Sequence, residues 1–166
     1  MPLLVLATVT ETMASVPQQQ RPVESGVVIP IAGPRERLEL VEFTFTRTPS
    51  GQCSAQVSME WGDTVFSGRA IGQSSTFGDF RVSAEAALRA LEDFAKDSLH
   101  FELLGLKHIR AFDSDLLIVS VSVRENDQMH RLVGCCLAEN DTRRSAAMAV
   151  LNATNRLLGN YIRRRR

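Results

Sequence analysis

The sequence predicts an α+β domain made of a duplicated βββα unit: two three-stranded antiparallel sheets with two packed helices. Three observations carry the prediction. Runs with period-two alternation of apolar and polar residues come in groups of three, separated by turn residues. Each group is followed by an alanine- and leucine-rich stretch whose apolar residues recur at helical spacing. The two halves also overlay. SAEAALRAL from Ser83 matches SAAMAVLNA from Ser145 at an offset of 62, and FSGRAIG from Phe66 matches LVGCCLA from Leu132 at an offset of 66. The larger offset is assigned to a shorter second strand-to-helix loop.

Residues 1–36 hold five of the six prolines and the triplet Gln18-Gln19-Gln20. Proline removes backbone donors and glutamine buries little apolar surface, so this stretch is expected to be a flexible leader, with Met13 as an alternative start. Repeat one is expected over 37–99. Leu38 to Thr48 has strand chemistry, with Val41, Phe43 and Phe45 on one face, and ends in the turn Pro49-Ser50-Gly51. The next run alternates strictly, Cys53, Ala55, Val57, Met59 and Trp61 against Ser54, Gln56, Ser58 and Glu60, which is a half-buried strand. Gly62-Asp63 turns into a third strand, Thr64 to Gly72. A polar loop, GQSSTFGDF, then leads to Ser83 as helix N-cap, with Glu85 favoured by the positive end of the helix dipole. The helical stripe Ala84, Ala87, Leu88, Leu91, Phe94 and Ala95 reaches about Leu99.

Repeat two is expected over 100–162. His100 to Phe112 is a strand turned by Asp113-Ser114-Asp115. Leu116 to Arg124 puts Leu117, Val119, Val121 and Val123 on one face, and Gln128 to Ala138 follows the turn at Glu125-Asn126-Asp127. Asn140 or Asp141 caps a helix from Thr142 to about Gly159, and Arg163 to Arg166 form a solvated basic tail.

Composition narrows the function classes. The chain has 19 basic and 19 acidic residues, so no excess charge argues for nucleic acid or acidic lipid as an obligatory partner. Near-neutrality instead favours self-association, and uncovered sheet edges or faces are natural dimer surfaces. The uncharged run Pro2 to Thr10 is too short to span a membrane and lacks the basic start of a secretory signal, so a cytoplasmic location is expected. Cys53, Cys135 and Cys136 have no metal-ligand spacing. The adjacent pair points to opposite faces of a strand, and all three are read as reduced.

Candidate catalytic groups do not converge. There is no glycine-rich phosphate loop and no nucleophile-turn motif. His100, His108 and His130 are assigned to separate strands without i, i+4 spacing, so no metal site and no cofactor are expected. Glu92, Asp93 and Asp97 ride on a solvated helix face, while Asp113, Asp115, Glu125 and Asp127 are turn residues. The expectation is a protein that is not an enzyme.

The candidate binding residues are those of the two strand-to-helix loops: Gly72, Gln73, Ser74, Ser75, Gly78 and Asp79 in the first, Glu139, Asn140, Asp141 and Thr142 in the second. A loop feeding a helix N-terminus presents backbone N–H groups and a positive dipole end, a seat suited to a carboxylate.

The duplicated unit, the glycine-bearing loop before an alanine-rich helix and the stretch GCCLAENDTRRSAAMAVLNATNRLL resemble the C-terminal regulatory domain of the 2-isopropylmalate synthase and citramalate synthase family. Gly134, Asp141, Ser145, Ala146, Ala149, Ala153, Asn155 and Arg156 occupy places similar to that family's second-repeat signature. In the first repeat the echoes are Gly72, Val82, Ala84 and Ala87, and the family's glycine–proline–valine–aspartate signature is degraded. The resemblance covers residues 38–162. It implies a homodimeric domain that binds an end-product amino acid such as leucine or isoleucine near the strand-to-helix loops. The family's catalytic barrel and its metal-binding His-x-His have no counterpart here, so a free-standing copy is expected to act as a sensor, to dock on a metabolic enzyme or to serve assembly. Two alternatives stand beside it: a βββα nucleic-acid-binding module using Arg143, Arg144 and the basic end, and a purely structural interaction module.

Overall fold

The structure is a computed structural model that describes residues 37–96, 98–138 and 141–164, so the leader at 1–36 and residues Asp97, Glu139, Asn140, Arg165 and Arg166 lie outside the described residues. Eight elements follow in the order βββαβββα: β1 (Glu39–Arg47), β2 (Gln52–Trp61), β3 (Thr64–Gln73), α1 (Thr76–Ala95), β4 (Leu99–Ala111), β5 (Ser114–Glu125), β6 (Gln128–Leu137) and α2 (Thr142–Arg164). The strands form two antiparallel sheets, β1-β2-β3 and β4-β5-β6, as the alternation predicts. Tight hairpins join them, closed by Trp61↔Thr64, Ala111↔Ser114 and Glu125↔Gln128. Their turns need positive φ, taken by Gly62, by Phe112 with Asp113, and by Asn126.

The core lies between the sheets' inner faces and the helices. Val57 and Met59 on β2 and Leu117, Val119, Val121 and Val123 on β5 are buried against Leu88, Leu91, Val150 and Leu158 of the helices and their neighbours. Each such aliphatic side chain contributes about 1.5–3 kcal/mol through burial. Packing is exchanged between the repeats: α1 rests on β2 and β3 but also on β4, and α2 on β5 and β6 with a touch on β1. The helices lie side by side in the same direction. Near their C-terminal ends the Tyr161 hydroxyl donates to the Ala95 carbonyl at 3.0 Å, and the Tyr161 and Phe94 rings meet edge to face.

The duplication is closer in space than in sequence. Each first strand carries a bulge at the matching place, Leu40/Glu42 in β1 and Leu103/Gly105 in β4. Gly68 pairs with Val57 and sits under α1, where an added Cβ would meet the Ala86 carbonyl oxygen and Ala90 nitrogen at 2.3 Å. Gly134 pairs with Val119 and sits under α2 in the same way, at 2.3 Å from the Ala149 oxygen and 2.4 Å from the Ala153 nitrogen. The helix correspondence is therefore Ala86 to Ala149 and Ala90 to Ala153, an offset of 63 and not the 62 at which the serines align. The buried series Val82, Ser83, Ala84 matches Ser145, Ala146, Ala147 at that same offset. The β2–β3 and β5–β6 hairpins also differ in length, because the second continues two residue pairs beyond Val123↔His130, the counterpart of Trp61↔Thr64. The loop is thus not the sole source of the changing offset.

Several expectations need correction. Ser83 is not the N-cap. The segment read as a loop, GQSSTFGDF, is the end of β3 followed by the opening of α1, whose N-cap is Ser75. Ser83 is buried mid-helix with its hydroxyl donating to the Asp79 carbonyl at 2.8 Å, and Glu85 pairs with Arg81 instead of the dipole. The helix also ends early, at Ala95, because Lys96 adopts the left-handed conformation and Leu99 already begins β4. Val41 falls in the β1 bulge, which turns it outward while Leu40, Phe43 and Phe45 pack against the core. At the other end α2 continues through Gly159, so Arg163 and Arg164 form its last turn rather than a tail. Arg164 donates to Glu125 at 2.9 Å. His100 and His108 share β4, and only His130 is on another strand, β6. The carboxylates of α1 are not merely solvated: Glu92 accepts from the Phe101 N–H at 3.0 Å and Asp93 from the Ser67 N–H at 3.1 Å.

Candidate functional site

Both helices begin at one place. A cleft of about 270 Å³ is lined by Thr76, Asp79 and Phe80 from the start of α1, Asp141, Thr142 and Arg143 from the start of α2, and Arg47 from the end of β1.

The sequence builds each lip by capping. At α1 the Ser75 hydroxyl accepts the Gly78 N–H at 2.9 Å, which satisfies one of the orphan donors of the first turn. Gly78 is required there: an added Cβ would lie 2.2 Å from the Gln73 carbonyl oxygen. Gly72, at the end of β3, is needed because a Cβ would press on Val82 at 2.7 Å. At α2 the Asp141 carboxylate accepts the Arg143 N–H at 3.0 Å, and the Asp141 carbonyl accepts the Ser145 N–H at 2.9 Å. Asp141 therefore caps α2, one of the two residues expected to do so.

Charge is arranged in two pairs. The Asp79 carboxylate is 2% exposed, ion-paired to Arg47, and accepts from the Ser74 hydroxyl at 3.3 Å. Its burial in the first turn of α1 is offset by attraction of the carboxylate to the helix dipole and the guanidinium. Asp141 pairs with Arg143 at 3.2 Å. Phe45, on β1, holds both guanidiniums in place: the Arg143 group lies 4.7 Å and the Arg47 group 5.9 Å from its ring centroid. On the opposite repeat, at the positions 63 residues later than Phe45 and earlier than Arg143, His108 meets the Phe80 ring edge to face at 5.5 Å. Behind Asp79, burial first, then the hydrogen bond and negative charge of that carboxylate, push the Cys53 thiol above its ordinary value. Cys53 is thus a buried neutral thiol.

Of the sequence-predicted residues, the structure brings Asp79, Asp141 and Thr142 to the cleft. Ser74, Ser75 and Gly78 support its α1 lip, Gly72 and Gln73 end β3, and Glu139 and Asn140 lie outside the described residues. Phe80, Arg47 and the Phe45 ring behind them were not among the candidates, Thr76 lay in the first loop without being singled out, and Arg143 had entered only through the nucleic-acid alternative. Arg47 and Phe45 belong to a strand distant in sequence from both loops, and no local signal ties them to a helix terminus. Arg143 had a signal, its place two residues past a capping aspartate.

The arrangement suits holding a small polar molecule. Two helix N-termini add positive potential to a lining whose side-chain charges balance, and carboxylates stand beside the cations. Among the described residues no group of three or more His, Cys, Asp or Glu is placed to hold a metal ion. No helix among them is long and apolar enough to cross a membrane. No family model matches the chain, and no curated protein matches it.

Proposed function

We propose that this chain is a non-catalytic regulatory domain that binds a small carboxylate-bearing metabolite, of the branched-chain amino-acid class, in the cleft between the two helix N-termini. The observation that carries the reading is the convergence of both helix starts, with Arg47, Arg143, Asp79 and Asp141, on one cleft of about 270 Å³. That volume lies just below the roughly 300–1,000 Å³ of pockets for drug-sized ligands and suits a single small metabolite. A carboxylate faces two positive helix ends and two guanidiniums, and an ammonium faces the Asp141 or Asp79 carboxylate. The resemblance of residues 38–162 to the regulatory domain of the 2-isopropylmalate synthase and citramalate synthase family supports the same reading. On it the protein works as a cytoplasmic homodimer, sensing leucine, isoleucine or a relative and passing the signal to a metabolic enzyme on which it docks.

The test is thermal unfolding of the purified protein against a panel of amino acids and 2-oxo acids. A ligand that binds only the folded state adds about 2.7 kcal/mol of stability at a hundred times its dissociation constant. The expected result is a concentration-dependent rise with leucine or isoleucine that Arg143→Ala abolishes, while loss of its Asp141 and Phe45 contacts lowers the ligand-free midpoint only modestly. A panel with no shift, or a shift that Arg143→Ala leaves intact, sinks the proposal.

A further inference from the structure

We infer that the outer face of the second sheet is the surface on which a second copy of this chain docks. Side chains on the two sheets' outer faces can be compared position by position, because the repeats superpose strand by strand. On the first sheet the row nearest the β1–β2 turn is Thr46, Ser54 and Ile71, and the next is Thr44, Gln56 and Arg69. On the second sheet the matching rows are Ile109, Leu116 and Leu137, then Lys107, Ile118 and Cys135, with Val133 beside them on β6. Apart from Ile71 and Val65, 58% and 59% exposed, and the bulge residue Val41, the outer face of the first sheet is polar, so the same fold does not demand the more apolar outer face of repeat two. Val133 is 66% exposed, Leu137 46% and Ile109 39%. At the tip of the β4–β5 hairpin Phe112 is 95% exposed and held at φ 55, a conformation that a bulky residue adopts at a cost.

Area and charge select the occupant. Phe112 at the rim offers on the order of 150–200 Å², and the aliphatic side chains of the face bring the apolar total to roughly 500 Å², the size of the largest apolar patch on an ordinary monomer, which is often functional. One side of a standard interface covers about 800 Å², of which about three-fifths is apolar, so this patch fills the apolar share of one partner. A three-stranded face with its side chains in rows interdigitates best with another of the same twist, stacked about 10 Å away. A two-fold related copy supplies that surface. The chain's net charge of zero sets no long-range repulsion between copies.

This inference deepens the homodimer part of the proposed function and is independent of the ligand. It is tested by sedimentation over a roughly hundredfold concentration range, with circular dichroism to confirm folding. Wild type is expected to dimerise. Val133→Asp and Leu137→Asp are each expected to weaken the dimer at least about tenfold, whereas Ile71→Asp, the equivalent of Leu137 on the first sheet, leaves it intact. A dimer indifferent to Val133→Asp and Leu137→Asp overturns the assigned face while sparing the homodimer. A monomeric wild type overturns both. If those variants then melt at lower temperature, the face is covered within the chain, with residues 1–36 the available segment. If they do not, it is open to a partner of another sequence. The ligand panel reads separately in every case.

Discussion

Adding one methyl group at Gly68 or Gly134 is expected to cost about 3 kcal/mol at either position, because in each repeat the helix backbone rests directly on a glycine of the third strand. In Gly68→Ala the new carbon would lie 2.3 Å from the Ala86 oxygen and the Ala90 nitrogen, and in Gly134→Ala 2.3 Å and 2.4 Å from the Ala149 oxygen and Ala153 nitrogen. These distances are about 1 Å short of ordinary contact, and the opposing atoms are backbone, so no side-chain rotation relieves them. The helix has to retreat by about that amount where its packing is tightest. A gap of 0.5–1 Å forfeits about a quarter to a half of the dispersion energy of the contacts it opens, and the residues around each glycine are buried. Overpacking of this kind typically costs about 1–3 kcal/mol, and the upper end applies because two backbone atoms are struck at once. For a domain of this size that lowers the melting midpoint by roughly 10 °C. Thermal unfolding followed by circular dichroism at fixed protein concentration measures it. The control is Gly105→Ala, whose added carbon has no atom within 4 Å. If either glycine variant melts within a degree or two of wild type, the helix does not sit on that glycine. If only one is costly, the two repeats are not packed alike.

Three further outcomes follow from the same structure. Gly159 lies inside α2 with open space around it, so Gly159→Ala is expected to stabilise the protein by about 0.5–1 kcal/mol through backbone entropy and helix propensity, read by the same unfolding assay. Cys53 has a folded-state pKa raised above its ordinary value of 9.0, so the native state holds the thiol proton more tightly than the unfolded chain. That contribution is complete below the unfolded value and is lost as pH rises towards and through the folded one, so stability should fall above about pH 9. Cys53→Ala should flatten the fall. A thiol reagent at pH 8 should label exposed Cys135 well before Cys53, and equal labelling rates would contradict the burial.

The βββα duplication was legible because it rests on local patterns. Alternation in Cys53–Trp61 and Leu117–Val123 fixes which face of a strand is apolar, and the glycine and aspartate turns fix where it reverses. Asp141 was legible as a cap for the same reason, since the residue and the backbone N–H it satisfies are neighbours in the chain. The start of α1 was not. Gly78 and the Ser/Thr cluster carry turn propensity, and they are overridden because the Ser75 cap, the buried Asp79 carboxylate and the Phe80 ring are all satisfied only when the helix begins early. Val41 was misplaced for a related reason: a bulge inserts one residue and reverses the inside–outside parity behind it, and its position depends on the partner strand.

The sequence by itself determined the element order, the inner faces of the strands and two short loops worth examining. Tertiary structure alone decided that those loops meet, that Arg47 and Phe45 of β1 complete the cleft between them, and that α1 rests on β4 as α2 touches β1. The physical reason is range. Hydrophobic period, capping and turn chemistry act between residues a few positions apart. The pairing of Arg47 with Asp79, the seating of Arg143 on Phe45 and the contact of each helix with a glycine strand join residues that only the packed core brings together.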